Sequence, residues 1–141
     1  RIKATDSTLL IVDIQERLFP VILDAAAMAE HTAWLQQVAK RLAACMRRPP
    51  DLLARYGGEE FVLLIKDIQL ADLHRLAEKI RHAVWHQLAL PDGSALTTSI
   101  GIATVQHAHD WESWLQSADV ALYQAKHNGR NQVVIAATAA Q

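Results

Sequence analysis

Two adjacent carboxylates, Glu59 and Glu60, follow Gly57 and Gly58 between two short apolar runs, 52–56 and 61–65. Glycines can take positive φ and leave the backbone bare on one side, so a ligand can approach closely. Two hard oxygen donors beside such a turn suit a divalent cation that carries phosphates. An ordinary hairpin with a solvated acidic tip has the same spacing, so the residues alone leave both readings open. A third carboxylate, Asp13, closes the apolar run 8–12 at the strand end where α/β sheets place their ligands; a strand-end cap is its alternative. Lys126 and Arg130 flank a helix stop at Asn128 and Gly129, where they complement the helix C-terminus. Of the seven histidines only His107 and His109 are close together in the sequence, which does not make a zinc site.

The elements that must position these residues follow from periodicity. Residues 8–12 read as a buried strand, and an alanine-rich helix follows from the N-cap Asp24 to about Arg47, with Leu35, Val38, Leu42 and Cys45 facing the core. Pro49 and Pro50 stop that helix. The runs 52–56 and 61–65 form a hairpin, in which strand alternation sends Glu59 and Glu60 to opposite faces. A second helix spans about 70–88, a strand 96–105, a third helix begins at the N-cap Asp110, and a last strand covers 132–136. The implied architecture is α/β, a three-layer sandwich with a mixed central sheet flanked by helices.

Length and composition bound the function. The chain has 141 residues, 51% of them hydrophobic, and a net charge of −1, which describes one ordinary globular domain. Without a basic excess, nucleic acid is not an expected partner, and no apolar run is long enough for a membrane span. The single cysteine, Cys45, excludes an internal disulfide and fits a reducing, cytoplasmic setting as a packed thiol.

Residues 55–61, Arg-Tyr-Gly-Gly-Glu-Glu-Phe, resemble the signature of the GGDEF family, the diguanylate cyclases. Three further stretches agree: Arg48-Pro49-Pro50-Asp51 as an RxxD, residues 99–103 as the SIGIA strand, and residues 118–131 as the ADxALYxAKxxGRN helix and turn. The resemblance covers about 36–136 and implies the nucleotidyl-cyclase-like form of the fold. It further implies a Mg²⁺- or Mn²⁺-dependent joining of two GTP molecules into cyclic di-GMP across a homodimer. By the same resemblance Asp13 and Glu59 ligate the metal with the Ile14 carbonyl, and Glu60 assists the metal or the activated hydroxyl, making Glu59 and Glu60 the catalytic pair. Gly57, Gly58, Lys126 and Arg130 hold the nucleotide, and Arg48 and Asp51 form a product-inhibition site for cyclic di-GMP.

The N-terminal quarter departs from the family. Gln15 stands where a second Asp is usual, and residues 16–34 reproduce neither the FK pair nor the guanine-binding Asn and Asp. Residues 7–35 are instead similar to the opening β-α unit of isochorismatase-like cysteine hydrolases, whose triad Asp matches Asp13 while its Lys and Cys have no match. The expectation is a recombined chain, spliced near 35–37 within one helix and ending in a tail at 137–141. Its cyclase turnover should be weak or absent. The alternatives are a non-catalytic cyclic di-GMP-binding or structural domain and, more remotely, a hydrolase fragment.

Overall fold

The computed structural model describes residues 7–15, 25–46, 52–90, 93–104 and 110–137. In chain order these form β1 (Ser7–Gln15), α1 (Ala25–Cys45), β2 (Leu52–Gly57), β3 (Glu60–Lys66), α2 (Leu70–Gln87), β4 (Thr97–Thr104), α3 (Trp111–His127) and β5 (Val133–Ile135). The strands make one sheet in the order β2-β3-β1-β4-β5. All pairings are antiparallel except β4 with β5. The sandwich expected from periodicity is therefore present, with the hairpin beside the first strand.

Alternation along β3 divides the core between two faces. Phe61, Leu63 and Ile65 join Ile100 and Ile102 beneath α1 and α2, against Val38, Leu42, Leu73, Ala77, Ile80 and Val84. Val62 and Leu64 join Ala103 on the other face beneath Trp114, Ala118 and Leu122 of α3. The two buried indoles satisfy their N–H groups, Trp34 by donating to the Ala89 carbonyl and Trp114 to that of Ala103. Trp85 and Trp111 lie at the surface.

Gly101 sets the spacing of the third layer. A Cβ there would stand 2.3 Å from the Ala118 carbonyl oxygen and 2.5 Å from the Leu122 nitrogen, so α3 rests directly on the β4 backbone. The helix starts where its sequence signals it, with Asp110 accepting from the Ser113 backbone N–H at 2.6 Å. It ends in a Schellman turn, in which the Arg130 N–H donates to the Ala125 carbonyl and Gly129 takes φ +109°.

Three boundaries differ from the sequence reading. The strand expected over 8–12 extends to Gln15, because β4 continues to pair with it after β3 has turned away. The last strand is three residues long, since Arg130 and Asn131, at φ +64° and +47°, keep the chain in a turn ahead of it. α1 ends at Cys45, and the expected cap Asp24 and the arginines 47 and 48 lie outside the described residues.

Candidate active site

The site is built on one cross-strand row. Asp13 on β1 is the register partner of Glu60 on β3 and of Ser99 on β4, and Glu60 is in turn the partner of Gly57 on β2. Directly opposed residues share a face, with Cβ atoms about 4.5–5.5 Å apart. That face is the one α3 covers, because Val62, Leu64 and Ala103 share its parity. From the last turn of α3, the Lys126 ammonium reaches down to 3.2 Å from Asp13 Oδ2 and 4.0 Å from Glu60 Oε1. Lys126 therefore spends its charge on the acid pair and not on the helix C-terminus.

Burial pushes the Glu60 carboxyl above the ordinary glutamate range, against the lowering effect of Lys126; the negative charges of Asp13 and Asp119 raise it further. The folded chain thus holds two carboxylates close enough to repel, with one cation between them. Asp13 is nearly buried, and its carbonyl oxygen accepts from Thr98 Oγ1 at 2.7 Å on the β4 side. Carbonyls alternate along a strand, so that of Ile14 faces the β3 side, beyond the last β1–β3 pair at Asp13 and Glu60.

The Gly57–Gly58 turn lies beside this row. Among the described residues a Cβ on either glycine would meet nothing within 4 Å, and only Gly58 needs its left-handed φ of +51°. The Arg55 side chain donates to the Gly58 carbonyl at 2.9 Å and braces the turn. The open space above it is the bare-backbone surface that the glycine pair was expected to give.

The resemblance groups Asp13 with both Glu59 and Glu60, and in the strand register the residue opposite Asp13 is Glu60. The turn takes up Gly58 and Glu59, so the strand begins one residue later. Glu59 is half-buried in the turn, Arg130 is exposed in the Schellman turn after α3, and Arg48 and Asp51 fall outside the described residues.

Three residues carry more than the sequence suggested. Ser99, visible only as part of a strand, is fully buried beside Asp13, and its hydroxyl is without a hydrogen-bond partner among the described residues. A buried orphan hydroxyl costs about 1–3 kcal/mol. Strand alternation around Asp13 and Ser99 was the signal that could have found it. On the opposite face of the sheet, His82 and His86 stack at 5.6 Å one helical turn apart. They line a cavity of about 360 Å³ with Arg41, Lys79 and the buried Cys45 thiol, whose pKa is raised by burial. No group of three or more His, Cys, Asp or Glu among the described residues could hold a metal ion.

With only Asp13 and Glu60 as an acidic pair, a cation here would need further oxygens from the Ile14 carbonyl, water and a bound phosphate. Mg²⁺ and Mn²⁺ accept such a mixed shell of hard donors. The Lys126 ammonium already marks the point between the two carboxylates where positive charge is favourable. The residues present fit a phosphate-carrying divalent ion.

The three-layer sandwich that carries this acid pair, helix lysine and bare turn has counterparts among known proteins. The family model described as diguanylate cyclase, GGDEF domain, matches residues 3–132, and the chain belongs to that family. It is 34% identical over 131 residues to diguanylate cyclase A of Treponema denticola, covering 91% of this chain and 34% of that protein. It is 44% identical over 105 residues to the response regulator PleD of Caulobacter vibrioides, covering 71% of this chain and 23% of that protein. The chain thus spans about a third or less of the length of these curated relatives.

Among solved structures, the GGDEF domain of YfiN (TpbB) from Pseudomonas aeruginosa superposes with a TM-score of 0.77 at 30% identity, covering 95% of this chain and 84% of that one. The coiled coil and GGDEF domain of DgcB from Caulobacter crescentus, solved in complex with c-di-GMP, gives 0.77 at 28% identity, covering 94% and 70%. Among the described residues, no helix is long and apolar enough to cross a membrane.

Proposed function

We propose that the chain is a cytoplasmic GGDEF domain, one domain over residues 1–141, which handles GTP through the Asp13–Glu60–Lys126 cluster and turns it over to cyclic di-GMP weakly or not at all. The observation that carries the reading is that cluster, in which two opposed carboxylates share one helix-borne ammonium beside a bare glycine turn. Asp13, Glu60 and the Ile14 carbonyl would hold Mg²⁺ or Mn²⁺, with Glu59 next in sequence to Glu60 in the adjoining turn. When bound, the ion supplies neutralisation of the phosphate charge.

The chain's own groups do the positioning. Gly57 and Gly58 let the nucleotide lie against the backbone. Lys126 turns from the carboxylates to the terminal phosphates, and Arg130 joins it from the turn. Two such sites must face each other across a homodimer for each 3′-hydroxyl to attack the other nucleotide's α-phosphate, breaking the α–β anhydride bond with pyrophosphate as the leaving group. The glutamates beside the turn accept the hydroxyl proton.

Weak turnover follows from residues 16–34, which lack the guanine-binding Asn and Asp. A pocket missing base hydrogen bonds loses affinity and selectivity together. The same reading takes residues 7–35 as a recombined β-α unit, and that rests on their likeness to the hydrolase opening. GTP with Mg²⁺, product detection and an intact cyclase alongside is the deciding assay. Product far below the intact enzyme is expected, and robust product would overturn the impairment.

A second reading has a specific support. DgcB, a relative of the same fold, was solved in complex with c-di-GMP. Arg48 offers a planar bidentate donor, Asp51 an acceptor, and Pro49 and Pro50 stiffen the link between them. On this reading cyclic di-GMP binds more readily than GTP. Calorimetric titration of the protein and of Arg48→Ala checks it: the expected outcome is heat for the first and none for the second.

A further inference from the structure

The buried hydroxyl of Ser99 is left over by the site as described. It sits on the same face as Asp13 and directly opposite it, is fully buried, and finds no hydrogen-bond partner among the described residues. Asp13 meanwhile directs Oδ2 toward Lys126, on the α3 side of the row. A buried donor without a partner is rare in folded chains and calls for an explanation.

We propose that Ser99 is a positioning residue for the Asp13 carboxylate, idle while Lys126 holds that group and engaged when a divalent cation takes the ammonium's place. The inference rests on the metal reading given under Proposed function. With Lys126 drawn away to phosphate, the Asp13 carboxylate loses the ammonium contact at Oδ2. Ser99, about 5 Å away across the strands at Cβ, is placed to donate to it or to a water on the ion. A hydroxyl that orients a ligating carboxylate fixes its rotamer and keeps one oxygen directed at the cation. Ser99 touches no substrate in this role and acts through Asp13.

The arrangement separates two quantities that a purely structural serine would move together. Removing an idle, buried donor relieves the metal-free fold, while removing a positioning donor weakens the loaded one. The experiment measures both on the whole chain, with Mn²⁺ alone as the probe: affinity by calorimetry or by the EPR signal of free Mn²⁺, and thermal midpoint without metal. For Ser99→Ala, a loss of Mn²⁺ affinity of about tenfold is expected, with a metal-free midpoint equal to or above that of the parent. Ser99→Cys, which keeps the volume but donates poorly, should follow Ser99→Ala in affinity. Affinity unchanged in both variants overturns the proposal and leaves the metal site standing. A parallel fall in affinity and midpoint also overturns it, because Ser99 would then be a packing residue. Failure of the parent chain to bind Mn²⁺ overturns the metal reading itself, and this inference with it.

Discussion

Substituting Gly101 by alanine should damage the fold and the site at once. The added methyl would lie 2.3 Å from the Ala118 carbonyl oxygen, 2.5 Å from the Leu122 nitrogen and 2.9 Å from its Cα. All three are backbone atoms of a helix, so no side chain can rotate away. To restore ordinary contact, α3 must withdraw from the sheet by about 1 Å, opening its packing on Val62, Leu64 and Ala103. Overpacking of this kind costs about 1–3 kcal/mol, and a clash with rigid backbone belongs at the upper end. Unfolding entropy for 141 residues is about 0.3 kcal/mol per kelvin, so about 3 kcal/mol lowers the midpoint by about 10 °C. Because Lys126 rides on α3, its 3.2 Å contact with Asp13 should lengthen too. Calorimetric melting of Gly101→Ala beside the parent is the assay. A midpoint within about 2 °C of the parent would refute the claim that β4 and α3 are in backbone contact.

Other outcomes follow from the same geometry. Glu60 binds its proton more tightly folded than unfolded, so its contribution to stability is full below the ordinary glutamate range and is lost as pH rises through the raised value. Glu60→Gln should therefore melt above the parent near neutral pH, with the gain shrinking toward pH 4; a gain independent of pH would sink this account. Lys126→Met leaves two carboxylates without their shared cation and should cost about 1–2 kcal/mol in metal-free protein, discounted for partial exposure. Saturating Mn²⁺ should close most of that gap in thermal melts, as binding to the folded form does. Asp110→Ala removes the α3 N-cap and should cost about 1 kcal/mol, read by urea denaturation.

Much of the fold was legible because its signals are local. The apolar run 61–65, the 3.6-residue stripe from Leu73 to Val84, and the Asp110 and Gly129 caps each act within a few residues. Register was not legible, because it is set by pairing between distant segments. Composition cannot say whether Asp13 faces Glu59 or Glu60, and one residue of turn decides it. Ser99 was hidden similarly: a serine in an apolar strand carries no mark of what stands opposite. The stacking of His82 on His86 is a plain case of helical spacing, four residues apart, that attention to adjacent histidines alone passes over.

The hairpin strand β2 has one further consequence, for the behaviour of the protein in concentrated solution. It is an outer strand of the sheet, largely exposed, with Leu52 and Tyr56 open to solvent. Such a border invites a second chain to continue the ladder. Here the register slips between Arg55 and Gly57, which ends regular pairing after a few residues and twists the strand. A neighbouring chain would find only a short straight segment beside Leu52, Leu53 and Ala54, followed by a charged arginine and a kink. The irregularity that shapes the glycine turn for a ligand therefore also limits uncontrolled strand-to-strand association.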